Sequence, residues 1–141
     1  METHLEYAKL LNELLGGARA VRITVSGYMP LSLEEIGSSE EGYRLVSLCH
    51  YGEQNGDLMR DPDIVFLFHN LPGGAAAEPV SIRNDYLGIS QEVYRYDETG
   101  KRTHVFPMLK QELQEFARTW FATLRDQGFF GDTASREILY P

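Results

Sequence analysis

Apolar positions recur every three or four residues at both ends of the chain and every second residue through its middle. Near the start, Leu5, Ala8, Leu11, Leu14 and Leu15 make one stripe, Thr3 and Glu6 have capping-box spacing, and Gly16-Gly17 supplies a stop. This pattern predicts a helix over residues 1–17. Toward the end, Leu109, Leu113, Phe116, Trp120 and Leu124 repeat the helical step behind Pro107, a residue suited to a first turn. A second helix is expected over residues 107–128, closed by Gln127-Gly128, with Phe129 and Phe130 folding back onto it.

Residues 20–106 read as strands. Val21, Ile23 and Val25 alternate with Arg22, Thr24 and Ser26, and Met29, Leu31 and Leu33 continue past Pro30, which argues for an edge or a bend. Residues 34–42 read as a polar connector. Ile64 to Phe68 is apolar on both faces and predicts a central strand. The small-residue run NLPGGAAAEP, residues 70–79, reads as a mobile loop. Val80 and Ile82 open a further strand, and a last hairpin joins Glu92–Tyr96 to Arg102–Phe106 through a turn ending at Gly100. Helix, about five to seven antiparallel strands and helix together predict one α+β domain with both helices packed on the sheet.

Asn-Gly is among the strongest signals for a two-residue hairpin loop, because both central residues take positive φ. Asn55-Gly56 therefore predicts a hairpin between about Tyr43–Gln54 and Asp57–His69. Setting Gln54 opposite Asp57 puts Glu53 against Leu58, Tyr51 against Arg60 and His50 against Asp61. His50, Gln54, Asp57 and Asp61 then share one face, and Tyr51, Glu53 and Arg60 the other. Pro62 cannot donate a ladder hydrogen bond, so a bulge there would slip the pairs beyond it by one.

Two readings of this hairpin compete. A histidine beside carboxylates can hold a hard divalent cation and activate water, which makes His50, Asp57 and Asp61, with Asp63, candidate metal ligands. Counted from Glu53, however, the sixth and twelfth positions are Leu58 and Ile64, not the glycine and glutamate of a calcium loop. The plainer reading is cross-strand pairing that fixes register, each pair worth under about 1 kcal/mol. Farther on, Asn84, Asp85 and Gly88 have turn chemistry, and Asn84, Asp85, Gln91 and Glu92 are candidates to line a polar pocket beside the hairpin. Tyr86, Tyr94 and Tyr96 read as half-buried sheet aromatics, and Trp120 and Phe121 as core. His4, His69 and His104 stand alone in sequence. Neither a nucleophile motif nor a glycine-rich phosphate loop occurs.

Composition narrows the field. The 141 residues are 43% hydrophobic and 24% charged, enough to bury a core. No apolar run approaches the roughly 20 residues that span a bilayer, and the N-terminus lacks a secretory signal's basic flank and cleavage site. Cys49 is the single cysteine, which excludes an internal disulfide. A cytoplasmic protein without a membrane partner is expected. Net charge is −8, and Glu34–Asp63 holds eight acids against Arg44 and Arg60, a net of −6. Basic residues are scattered, as in GKR at 100–102 and Arg83 with Arg95, so direct nucleic-acid binding is not expected. The acidic stretch suits a basic protein surface or a divalent cation, or simply keeps the protein soluble.

The segments EQNGDLMRDPD, NDYLGISQEVY and FARTWFATLRDQGFF together resemble an uncharacterised family of small proteins associated with plasmids, integrative elements and phages. There such proteins lie among anti-restriction and DNA-processing genes. The resemblance covers about His50 to Phe130 and rests on Glu53, Asn55, Gly56, Asp57, Arg60, Asp61 and Pro62, then Asn84, Asp85, Gly88, Gln91 and Tyr94. It implies a context and transfers no activity. Joined to the acidic stretch, it leads to the expectation of a non-enzymatic accessory protein of a mobile element. Such a protein would bind through Glu53, Asn55, Asp57, Arg60, Asp61, Asn84, Asp85, Gln91 and Glu92. Its partner would be a protein, such as a basic nucleic-acid-binding host protein in an anti-defence role. The alternative is a metal-dependent hydrolase on His50, Asp57 and Asp61. A third reading is self-association through an apolar edge at Met29–Leu33.

Overall fold

The computed structural model describes residues 2–141. Helix α1 spans Glu2–Leu15 and helix α2 spans Pro107–Gln127. Between them run β1 (Ala20–Thr24), β2 (Leu31–Ser38), β3 (Arg44–Gln54), β4 (Asp57–Leu71), β5 (Gly74–Asn84), β6 (Ile89–Glu92), β7 (Tyr94–Tyr96) and β8 (Arg102–Val105), and β9 (Ser135–Tyr140) follows α2. A seven-stranded antiparallel sheet has the order β6-β5-β4-β3-β2-β1-β9, and β7 with β8 forms a separate ribbon. The expected α+β architecture, an antiparallel sheet with an N-terminal helix and a helix late in the chain, is therefore the observed one, with one strand following the second helix.

Both helices cover one face of the sheet. Leu11 and Leu15 of α1 and Leu124 of α2 close over Val21, Ile23, Leu31, Leu33, Leu48, Ile64 and Phe66, all fully buried. The Tyr7 ring lies between Phe66 and Phe121, at centroid distances of 5.9 and 5.3 Å. Each such side chain gains roughly 1.5–3 kcal/mol from leaving water. Gly128 closes α2 in the left-handed conformation, and Phe129 tucks back into the core as expected. Among the described residues no helix is long and apolar enough to cross a membrane.

Several local expectations change. The capping position expected at Thr3 lies inside α1, which starts at Glu2. Phe116 lies at the edge of the α2 stripe, 42% exposed with its ring 6.0 Å from Trp120, and Ala117 takes the buried place. At about 100° per residue, the face of Leu113, Ala117, Trp120, Phe121 and Leu124 leaves position 116 to one side. The supposed polar connector is strand as far as Ser38, since β3 supplies a hydrogen-bonding partner along that length. Residues 70–79 are not a mobile loop. They make a tight turn at Pro72-Gly73 with Ala76 and Ala77 buried, and the small Ala75 and Ala77 side chains on the helix face let α1 pack onto β5. Leu31 and Leu33 sit on an interior strand and are fully buried, which removes the apolar edge proposed for self-association. Strand β9 lies beyond the elements that the residue pattern predicts. It pairs with β1, helped by Arg136, whose guanidinium donates to the Leu14 carbonyl at the end of α1.

Candidate functional site

The hairpin turns at Asn55 and Gly56, both at positive φ (52° and 85°), as the Asn-Gly pair demands. Near the turn the register is the expected one: Gln54 pairs Asp57, Glu53 pairs Leu58 and Tyr51 pairs Arg60. Beyond it the ladder slips, so that Cys49 pairs Asp63 and Leu45 pairs Leu67. The slip falls where Pro62 offers no N–H, and it separates His50 from Asp61 as cross-strand partners. Residues 51–60 thus project as an arm past the ends of the flanking strands, whose last partners are His50 for β2 and Asp63 for β5.

The turn between β5 and β6 braces this arm. Asp85 accepts hydrogen bonds from the Arg60 backbone N–H (2.8 Å) and from Arg60 Nε (3.1 Å), while its own N–H donates to the Arg60 carbonyl (2.9 Å). Asn84 Nδ2 donates to Asp61 Oδ1 at 2.8 Å, and Asn84 Oδ1 accepts from the Leu87 N–H at 3.1 Å. The Arg60 N–H and side chain hold the Asp85 carboxyl below the usual aspartate range. Tyr86 lies against Gly52, where a Cβ would run into its hydroxyl. The two sequence motifs are one structural unit.

The predicted binding residues divide accordingly. Arg60, Asp61, Asn84 and Asp85 are brought together and spend their polar atoms on each other. Glu53, Asn55 and Asp57 stand exposed at the tip. Gln91 and Glu92 lie on β6, and both line a cavity of about 220 Å³ with Arg60, Arg83 and Asp63. Leu58 on the arm and Leu87 on the bracing turn are each 71% exposed. The acidic stretch is less uniform than its charge count suggested. Glu35 pairs Arg44 (3.4 Å), Glu41 pairs Arg102 (2.7 Å), and Asp63 accepts from the buried Ser47 hydroxyl (2.5 Å).

The proposed metal ligands do not converge. His50 is 7% exposed and lies under Trp120 and Phe129, at centroid distances of 5.6 and 5.4 Å. Its Nδ1 sits 3.3 Å from the Pro30 carbonyl oxygen, and burial lowers its pKa. Asp57 is at the far end of the arm, and Asp61 is taken by Asn84. Among the described residues no three of His, Cys, Asp or Glu gather as a metal set. Burial also pushes the Cys49 thiol up to about 12, so it is no nucleophile at neutral pH.

One polar group was missed altogether. Glu78 is 5% exposed and accepts a hydrogen bond from the Tyr94 hydroxyl, with Lys110 Nζ at 3.4 Å and His69 Nε2 at 3.6 Å. Burial raises its pKa, but Tyr94 and Lys110 outweigh that and leave it lowered. A glutamate set among buried small residues was the signal, hidden by the loop-like composition around it. The group ties β5, β4, the ribbon and α2 together. No curated protein and no solved structure matches the chain. The description "domain of unknown function (DUF6908)" matches residues 5–130, taking in both motifs, the braced arm and α2 but not β9, and the chain belongs to that uncharacterised family.

Proposed function

We propose that this chain is a non-enzymatic binding protein that meets a protein partner with the tip of its braced arm. The observation that carries the reading is the pairing of exposed apolar and acidic groups on a held scaffold. Leu58, on the face of the arm that carries Glu53, and Leu87 on the bracing turn offer exposed apolar area, and Glu53 and Asp57 place one carboxylate on each face of the arm. Apolar anchors held in place by a rigid scaffold, with charged groups beside them, are what protein interfaces use. Arg60, the nearest cation, is committed to Asp85, which leaves the tip electronegative and favours a basic protein surface over nucleic acid.

The resemblance to proteins of plasmids, integrative elements and phages supports an accessory role in a mobile element, exerted in the host cytoplasm. The fitting partner is a host nucleic-acid-binding protein whose basic groove receives the arm, which is an anti-defence activity. Affinity capture from host lysate tests this with the wild type and a Leu58→Asp/Leu87→Asp variant. The wild type is expected to recover a partner that salt releases, and the variant to lose it with melting unchanged. Recovery of chaperones alone, or equal recovery by both proteins, overturns the reading. Millimolar Mn²⁺ is expected to leave the melting temperature unchanged, whereas a rise abolished by Asp61→Ala would establish the metal-dependent alternative.

A further inference from the structure

The sheet face turned away from the helices holds a cavity of about 320 Å³ between β2, β5 and the β7–β8 ribbon. Ile36, Leu45, Val65, Leu67 and Val80 make its apolar floor, and Tyr94 and Tyr96 make one wall. Glu40 and Glu92 stand on its rim, both exposed, and its described lining contains no lysine, arginine or histidine. We propose that this cavity binds an amphiphilic monocation: an alkyl or arylalkyl ammonium or guanidinium, either free or as the Lys or Arg side chain of a protein. The site is separate from the arm and stands independently of the function proposed for it.

Two β-bulges argue that the cavity is built and not left over. The β2–β3 register steps between Glu35 and Gly37, leaving Ile36 unpaired, and the β4–β5 register steps between Val65 and Phe66, leaving Val80 unpaired. Both extra residues line the cavity, one from each side of the β3–β4 pair. Bulges re-aim side chains and recur beside binding sites. Ile36 stays 47% exposed, an apolar side chain open to the cavity.

Charge selects the ligand. Two carboxylates over an apolar floor attract a cation with an apolar stem and repel a carboxylate or phosphate. Arg60 and Arg83 line the smaller cavity that shares Ile36, Val65, Ser81 and Glu92 with this one, and both guanidinium groups face Asp85, at 3.1 and 3.8 Å. Arg102 lies over the Tyr94 ring, 3.6 Å from its centroid, and is paired to Glu41, so it does not enter the lining. The volume is at the lower end of ligand sites, which run roughly 300–1,000 Å³. One side chain or one small amine suits that size.

Nuclear magnetic resonance titration of the isotopically labelled chain tests the proposal with three probes: phenethylammonium, its carboxylate counterpart hydrocinnamate, and the peptide acetyl-Gly-Lys-Gly-amide. A cation is expected to shift the Ile36 and Val80 methyl signals and the Tyr96 ring. Phenethylammonium alone assigns the site to free amines, and a response to the peptide assigns it to protein side chains. Glu40→Gln/Glu92→Gln should weaken binding about fivefold, and Glu53→Gln/Asp57→Asn at the arm should leave it unchanged. Equal shifts with hydrocinnamate, no shift with either cation, undiminished affinity in the Glu40/Glu92 variant, or shifts confined to the arm overturn it.

Discussion

Along β3 and β4, Val46, Leu48, Ile64 and Phe66 turn toward α1 and α2 and are sealed from water, while Ser47, Asp63, Val65 and Leu67 alternate with them on the other face. The first set makes one continuous apolar core. The second set carries a hydrogen-bonded acid, a cavity and the base of the arm. A period of two lets the same strands serve stability on one side and recognition on the other.

Two shielded carboxylates show how differently polar groups are treated. Glu78 is held charged by Tyr94 and Lys110 against the cost of burial. Asp63 is raised by burial, and the Ser47 hydroxyl and the more distant Arg60 and Arg83 offset this only in part. Their pH dependences therefore oppose each other. Stability from Glu78 is complete above the ordinary glutamate range and is lost as pH falls through its lowered folded value. For Asp63 the folded chain binds the proton more tightly, so stability declines as pH rises from the ordinary aspartate range through its raised folded value.

The sharpest break in the comparison is Phe66→Ala on the helix face. It opens a cavity between Tyr7 and Phe121 and should cost about 3–5 kcal/mol in denaturant unfolding. Glu78→Ala leaves the Tyr94 hydroxyl and Lys110 without their acceptor and should cost about 2 kcal/mol, with Glu78→Gln milder because an acceptor oxygen remains. On the arm, Gly52→Ala must displace Tyr86, and a loss of about 1 kcal/mol is expected that disappears in a Tyr86→Ala background. Asp63→Asn is the smallest. It should stabilise by under about 1 kcal/mol at neutral pH, because the amide oxygen still accepts from Ser47, and the gain should vanish below the aspartate range. Urea midpoints measured at pH 3 and pH 7 check that sign, and a gain that grows in acid would refute it.

What the chain's order of residues determined by itself was local. Helical spacing placed α1 and α2 to within a few residues, and Asn55-Gly56 set the arm's turn and its nearest pairs, because such geometry depends on neighbours in sequence. The bulge beside Pro62 was equally legible, since a missing N–H is a property of one residue. Alternation showed that His50 shares a face with Gln54 and Asp57, but not that Trp120 and Phe129 lie over it. A residue's chemistry is decided by what covers it, and only the tertiary structure brings α2 there. The same holds for the meeting of Arg60 with Asp85, for Glu78 among Tyr94, Lys110 and His69, and for the two bulges that frame one cavity. Each joins segments distant in the chain, and long-range pairing is paid for by burial of the whole core, which no local pattern encodes.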